Sequence, residues 1–434
     1  MLQSPKIVIY WIAVPQSKHP ANLPMPTLSD QLKALGVRVG ARDLPPPQPR
    51  PTHTQPIEAV LPGRAHATPF GAAFVVEKIF ARDYRHGNTP LPVTAPLATI
   101  AEWAREPRLA QGDLTRFVFL DTETSGLAGG AGTYAFLIGL GRFTGDAFQL
   151  TQIFMRDPAQ EPATLSALAE LLQPCDALVT FNGKSFDAPL LRARYTLNQL
   201  AIPFADAAHL DLLPLARRLW RNRLESRALG ALETHILGAT RTEEDIPGWL
   251  IPQIYFDYLQ SGDAHELRGV FYHNAMDVVA MAALLNHIAQ LLADPLTFAI
   301  AHGLDVIAIG KLFEDLERWE DAARLYARGL ELDLAEEKFR ETIKRLANLQ
   351  RRRGDLTAAV GLWRNATSTR QVYAFVELAK HYEHRARDYA QAERETRAAL
   401  AIVNARDFPA DARASWRAEL EHRLKRLLAK QKKT

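Results

Sequence analysis

The stretch Phe117-Val118-Phe119-Leu120-Asp121-Thr122-Glu123-Thr124-Ser125-Gly126-Leu127 decides how the rest of the chain is read. Four successive apolar residues predict a strand buried on both faces. Asp121 and Glu123 follow at its end. In an extended chain, residues i and i+2 project to the same side, so the two carboxylates point together. Two adjacent negative charges are costly unless a cation neutralises them. Taken alone, the segment fits an exposed acidic strand end equally well.

Working outward, Tyr134 to Gly141 and Ala147 to Met155 read as two further strands, with Gly145-Asp146 between them suggesting a hairpin. Ala73 to Phe80 reads as a strand and Leu97 to Arg105 as a short helix. Thr164 to Leu172 has helical spacing, and Ala177 to Phe181 is another short strand. Helices are expected from Asp187 to Asn198, Leu212 to Arg223 and Val270 to about Leu292. Three antiparallel strands, a helix and a further strand form the opening order of a ribonuclease H-like sheet. Glycines 126, 129, 130 and 132 do not form a nucleotide loop, because no Gly-Lys-Ser/Thr ending appears and a strand follows. A glycine-rich hairpin turn is expected instead.

Two other segments carry acids. Thr180-Phe181-Asn182-Gly183-Lys184-Ser185-Phe186-Asp187 follows a strand and places Asp187 at a helix start. By itself that position suits a helix cap. Tyr272-His273-Asn274-Ala275-Met276-Asp277 lies on a helix, where His273 and Asp277, four apart, share a face. Together the segments offer four carboxylates, a donor set suited to two Mg²⁺ or Mn²⁺ ions. Hard cations take oxygen ligands, and a pair ~3.5–4 Å apart can clamp the attacking and leaving oxygens of a phosphodiester. A neutral His273 beside them suits acceptance of a proton from water. Minus four lies ~40° from Asp277 around a helix and minus five ~140°, so His273 faces the acids if the helix includes it, and Tyr272 if the helix starts later.

Past residue 300 a repeat replaces the strands. Trp319-Glu-Asp-Ala322, Leu356-Thr-Ala-Ala359 and Tyr389-Ala-Gln-Ala392 each set a bulky residue three before an alanine. The alanine offsets of 37 and 33 residues lie near the tetratricopeptide period; a generic helical bundle is the alternative. Residues 1–56 are rich in proline, Pro45-Pro46-Pro47 included, and read as disordered. The apolar run Ile7 to Val14 is too short to span a bilayer, and Pro15, Gln16 and Ser17 supply no small-x-small cleavage site. No segment of membrane length is expected. With 47% apolar and 23% charged residues the composition is globular, and a net charge of +3 permits nucleic acid without demanding it. The lone Cys175 excludes an internal disulfide or cysteine-zinc framework and fits a cytoplasmic location.

FLDTETSGL, FNGKSFD and HNAMD resemble the three motifs of the DEDD-superfamily (DnaQ-like) exonucleases. Arg241 to Tyr255, Leu229 to Glu233 and the repeats are similar to its YprB-like branch of mitomycin-repair exonucleases. The resemblance implies an α/β ribonuclease H-like fold, a mixed five-stranded sheet flanked by helices, with an N-terminal β extension, over residues 57–295. An all-α tetratricopeptide-like domain over 300–434 is implied to follow. It also implies that Asp121, Glu123, Asp187 and Asp277 bind metal, that His273 is the general base, and that Thr122, Leu127, Asn182 and Lys184 contact substrate. In that family the ring residue is a tyrosine four before the last aspartate or a histidine five before it; here the two are transposed. The implied activity is metal-dependent 3′-5′ cleavage of DNA in repair, with the repeats holding a protein partner, a repair helicase. An RNA 3′-processing exonuclease and a non-catalytic scaffold that grips nucleic acid are the alternatives. Arg217, Arg218, Arg221, Arg223 and Arg227 fit phosphate contacts or a solvated helix face, Leu127 a wedge against the terminal base or a buried turn residue, and Asp211 a helix cap.

Overall fold

The computed structural model describes residues 54–126, 132–145 and 147–432. Residues 1–53, with the Ile7 to Val14 run and Pro45-Pro46-Pro47, lie outside them, as do Leu127, Gly129, Gly130 and Asp146.

Phe117 and Phe119 enter one buried cluster while Val118 and Leu120 enter another, so strand β5 (Phe117–Thr124) is covered on both faces, as its apolar run requires. It sits inside a seven-stranded sheet of order β1-β2-β7-β6-β5-β8-β9. The members are β1 (Gly63–Thr68), β2 (Gly71–Ala81), β5, β6 (Ala135–Thr144), β7 (Ala147–Phe154), β8 (Ala177–Thr180) and β9 (Ala208–Asp211). A separate small hairpin joins β3 (Arg85–His86) to β4 (Thr89–Pro90). Pairing is antiparallel from β1 to β5 and parallel from β5 through β8 to β9. The five strands expected thus become seven. The N-terminal extension joins the sheet directly, β2 pairing with β7 from Phe74↔Phe154 to Ala81↔Ala147.

Helices Glu161–Leu171 and Asp187–Leu197 supply Leu165, Leu168, Leu191 and Tyr195 to the core on the Val118 side. The Leu267–Ala293 helix fills the Phe119 side. Contrary to the expectation of no membrane-length segment, this helix is long and apolar enough to cross a membrane by length and composition. Its most apolar window is 83% buried within the fold, as suits a central core helix.

Two glycines of β6 let that helix lie close to the sheet. A Cβ on Gly139 would fall 2.4 Å from Asn274 Oδ1 and 2.9 Å from Val278 Cγ2; one on Gly141 would fall 2.5 Å from Val278 Cγ1. The closeness brings Asn274, fully buried, over the sheet, where Gln152 Nε2 donates to its Oδ1 at 2.9 Å.

Beyond residue 300, seven helices follow in succession: Gly303–Asp315, Trp319–Leu330, Glu336–Arg352, Leu356–Ser368, Val372–His381, Tyr389–Asn404 and Ala410–Gln431. Ala322, Ala359 and Ala392 are all fully buried, as small residues between close helices must be. One continuous core runs from Phe80 on the sheet to Leu349 in this helical region. The arginine-rich stretch is only partly solvated. Arg218 pairs with Asp315 at 2.5 Å and Arg223 Nε with Asp305 at 2.9 Å, which ties these side chains to the Gly303–Asp315 helix. Arg217 and Arg221 remain exposed.

Replacing glycine in a strand ordinarily gains a little stability. Gly139→Ala is expected to do the reverse, costing about 1–3 kcal/mol through overpacking, read as a lower denaturation midpoint.

Candidate active site

The site forms where β5 ends. Asp121 faces Gly139 and Glu123 faces Leu137 across the β5–β6 ladder, and the register shifts between Glu123 and Thr124. That irregularity ends regular pairing beside the two acids. Asn274 Nδ2, from the Leu267–Ala293 helix, donates to Asp121 Oδ2 at 2.9 Å.

The second acidic segment is held from below. Asp211, at the end of β9, accepts from the backbone N–H of Asn182 at 2.7 Å, of Lys184 at 3.1 Å and of Leu213 at 3.1 Å. It therefore caps the helix that follows, as its position suggests, and also fixes the turn before Asp187. Asn182 has a φ of +67°, a left-handed conformation that asparagine tolerates better than most residues. Asp187 opens its helix without capping it. Its carboxylate instead accepts from the Thr122 hydroxyl at 2.5 Å, linking the second acidic segment to the first.

Asp121, Thr122, Glu123, Asn182 and Asp187 line a cleft of about 750 Å³. Phe186 and Leu197 line it too and stay 58% and 60% exposed, an unusual cost for large apolar side chains. Lys184, exposed, is not among the lining residues, and the Leu127 expectation lies outside the described residues.

Asp277 is turned to a neighbouring cleft of about 580 Å³, which it lines with Glu233, Arg241, Asp245 and His273. The Leu267–Ala293 helix includes both rings, which settles which one faces the acid. His273 Nε2 lies 3.7 Å from Asp277 Oδ2, whereas the Tyr272 hydroxyl accepts from the Thr242 backbone N–H at 3.1 Å. Asp245 Oδ1 lies 2.8 Å from His273 Nδ1. The Arg241 guanidinium donates to Asp277, and to Glu233 through Nη2 at 2.6 Å and Nε at 3.0 Å.

Electrostatics bind the two clefts into one site. Burial, then the charges of Asp277, Glu123 and Asp187, hold the Asp121 carboxyl well above the usual carboxylate range. Glu123 is raised likewise by burial, Asp277 and Asp187. Burial pushes Asp187 up to about 6, with the Thr122 bond opposing it. Burial raises Asp277 as well, although Arg241 and His273 pull it down. Four acids are thus short of positive charge, which is what a hard divalent cation supplies. The donor set fits such an ion, and these four carboxylates are the groups that would hold it. Their positions are not yet those of a closed cage. Among the described residues, no group of three or more His, Cys, Asp or Glu side chains is arranged to hold a metal ion. Three of the four are engaged by neighbours instead: Asn274 donates to Asp121, Thr122 to Asp187 and Arg241 to Asp277.

Sequence reasoning missed Arg241, Glu233, Asp245 and Asn274. Arg241 and Asp245 lie in the stretch Arg241 to Tyr255, which carried a resemblance but no chemistry of its own. Asn274 stood inside the third motif, hidden by its neighbours. Nothing local signalled the pairing of Glu233 with Arg241, eight residues on.

Residues 118–289 match the model of the RNase H superfamily. An uncharacterized protein, YprB, of Bacillus subtilis (strain 168) is 32% identical over 280 residues, which span 63% of this chain and 66% of that protein, just under two thirds of its length. Among solved structures, the family B DNA polymerase of the hyperthermophilic archaeon Pyrobaculum calidifontis aligns with a TM-score of 0.31 and 14% identity, over 46% of this chain and 29% of the polymerase. With the mixed sheet flanked by helices already in place, residues 118–289 match the RNase H superfamily and carry an RNase H-like fold.

Proposed function

We propose that the chain is a metal-dependent 3′-5′ exonuclease that hydrolyses DNA phosphodiesters at the carboxylate cleft. The observation that carries this reading is the convergence of Asp121, Glu123, Asp187 and Asp277. Their segments lie up to 156 positions apart, yet each acid raises or is raised by another. A protein gains nothing structural from burying four mutually repelling carboxylates. A pair of Mg²⁺ or Mn²⁺ ions would draw them together, supplying charge neutralisation and an activated water.

The protein's own groups divide the remaining tasks. His273 donates its Nδ1–H to Asp245 at 2.8 Å, the shortest polar contact of that nitrogen. This fixes the tautomer and leaves Nε2 free to accept a proton on the Asp277 side. Asp245 is therefore a positioning residue for His273. Phe186 and Leu197 offer exposed apolar faces on which terminal bases can stack. Thr122 and Asn182 line the same cleft beside the acids. Lys184, outside the lining, and Leu127 are proposed to meet other parts of the strand. DNA is favoured over RNA by the likeness of the three motifs to the repair branch. The helical region from residue 300 is proposed as tetratricopeptide repeats that hold a protein partner, a repair helicase, and a cytoplasmic location suits that role.

Asp121→Asn is expected to abolish Mg²⁺- or Mn²⁺-dependent release of nucleotides from end-labelled DNA while the circular dichroism spectrum is unchanged. Matched RNA degraded at the higher rate would replace DNA with RNA as the substrate. His273→Ala is expected to lower the rate by roughly 10²–10⁴, the usual scale for a lost general base. Asp245→Asn should alter the pH–rate profile in the same direction without unfolding the chain.

Stability without metal tests the charge argument. An acid whose folded pKa is raised favours its protonated form in the fold, so its ionisation destabilises as pH climbs from the ordinary value toward the raised one. For Asp187 that window runs from the ordinary aspartate value of 3.8 to about 6. Asp187→Asn in chelator should therefore match wild type near the bottom of the window and melt at higher temperature above it. Mg²⁺ should raise the wild-type melting temperature above the window and leave it unchanged below. Identical pH curves for the two proteins would count against the charge-starved cleft.

A further inference from the structure

We propose that Arg241 is the resident counter-ion of Asp277, occupying the place of one divalent cation, so that this cation binds only as the guanidinium lets go. The inference rests on the metal-dependent reading of the site and adds a residue that reading does not require.

The geometry points to a competition. Arg241 is only 12% exposed, and its guanidinium serves two carboxylates at close range, with Asp245 Oδ1 farther off at 3.5 Å from Nη1. Toward Glu233 it presents Nε at 3.2 Å and 3.0 Å from the two oxygens and Nη2 at 2.6 Å, a forked contact that fits the planar group. Toward Asp277 it presents Nη2 alone. The more numerous contacts are with Glu233, so Asp277 is the partner more easily surrendered.

The Glu233 side is also the better anchored. Glu233 is buried and its Oε1 lies 2.8 Å from His86 Nε2, on the β3–β4 hairpin. That hairpin is locked to the turn before Arg241. The Asn88 backbone N–H donates to the Leu237 carbonyl at 2.7 Å. Gly87 and Gly238 adopt φ of +59° and +66°, and a Cβ on Gly87 would fall 2.3 Å from the Leu237 carbonyl oxygen. Two glycines in left-handed conformations, back to back without room for a methyl group, fix this clasp. His86, Glu233 and Arg241 thus form a chain that begins on a rigid hairpin and ends at Asp277.

Charge arithmetic gives the consequence. Burial lowers the guanidinium pKa, but Asp277 and Glu233 more than offset it, so Arg241 stays fully charged. A cation arriving at Asp277 must therefore displace a charged donor or share the carboxylate with it. This agrees with the arrangement of the described residues, among which no three acidic or imidazole side chains are grouped to hold a metal ion. The cleft of about 580 Å³ that Arg241 and Asp277 both line gives the guanidinium space to withdraw.

Mn²⁺ binding to the full chain tests this without any turnover, by the electron paramagnetic resonance of free Mn²⁺ and by calorimetric titration. Arg241→Gln is expected to tighten the weaker Mn²⁺ step by about tenfold or more, the order expected when a unit charge at contact distance is removed. Arg241→Lys, which keeps the charge and loses the fork, should fall between. Because Arg241→Gln strands a buried carboxylate, the double variant Arg241→Gln/Glu233→Gln removes both charges and provides the reading if the single variant does not fold. Mn²⁺ isotherms equal to wild type, or weaker, in the folded variant overturn the role given to Arg241 and leave the nuclease site standing. Wild type and Asp121→Asn binding Mn²⁺ alike, or no variant binding it at all, overturns the site itself and this inference with it.

Discussion

Asp121, Glu123 and Asp187 line one cleft and Asp277 the next, and the surrounding fold keeps these acids within reach of one another's charge despite their repulsion. Charge of one sign can be concentrated only where hydrogen bonds or cations stabilise it. Here three of the four have separate restraints. Asn274 steadies Asp121, Thr122 steadies Asp187 and Arg241 steadies Asp277. Those restraints depend in turn on packing: Asn274 reaches Asp121 because Gly139 has no side chain to obstruct it.

The same dependence explains what could be read from the chain and what could not. The strand at 117–124 announced itself because four adjacent apolar residues leave no solvent face, and its acids because i and i+2 share a side. The long helix from Leu267 was visible in its apolar density, although its true length, and hence its likeness to a membrane span, emerged only with the fold. The choice between His273 and Tyr272 needed the helix start, which periodicity does not locate; three-dimensional structure puts the start at Leu267 and the imidazole toward Asp277. Arg241 was invisible for a different reason. An arginine in a loop has no periodicity, and its partners Glu233 and Asp277 lie on either side of it in sequence, on separate elements. Asp187 shows the converse error, for a helix-start aspartate invites a capping role that its side chain does not perform.

The N-terminal extension acquires a purpose in this light. Strands β1 and β2 widen the sheet, but the short β3–β4 hairpin reaches across to the Glu233–Gly238 segment and sets Glu233 through His86. A buried carboxylate between an imidazole and a guanidinium is an expensive arrangement to maintain unless both partners are held rigidly. The left-handed Gly87 and Gly238 provide that rigidity where a larger residue would force the strands of backbone apart.

Rigidity extends to the helical region as well. Arg218 and Arg223, on the sheet domain, pair with Asp315 and Asp305 of the first helix past residue 300, while Arg318 Nη1 donates to Thr99 at 3.1 Å in return. Beneath these polar contacts the apolar core passes without interruption from the sheet into the helices. A large apolar junction of this kind disfavours free domain motion, unlike the polar interfaces that permit hinging. The later helices, between Leu356 and Gln431, pack instead through two further apolar clusters, one around Trp363 and one around Val403, so the rigid junction is made by the first three helices past residue 300.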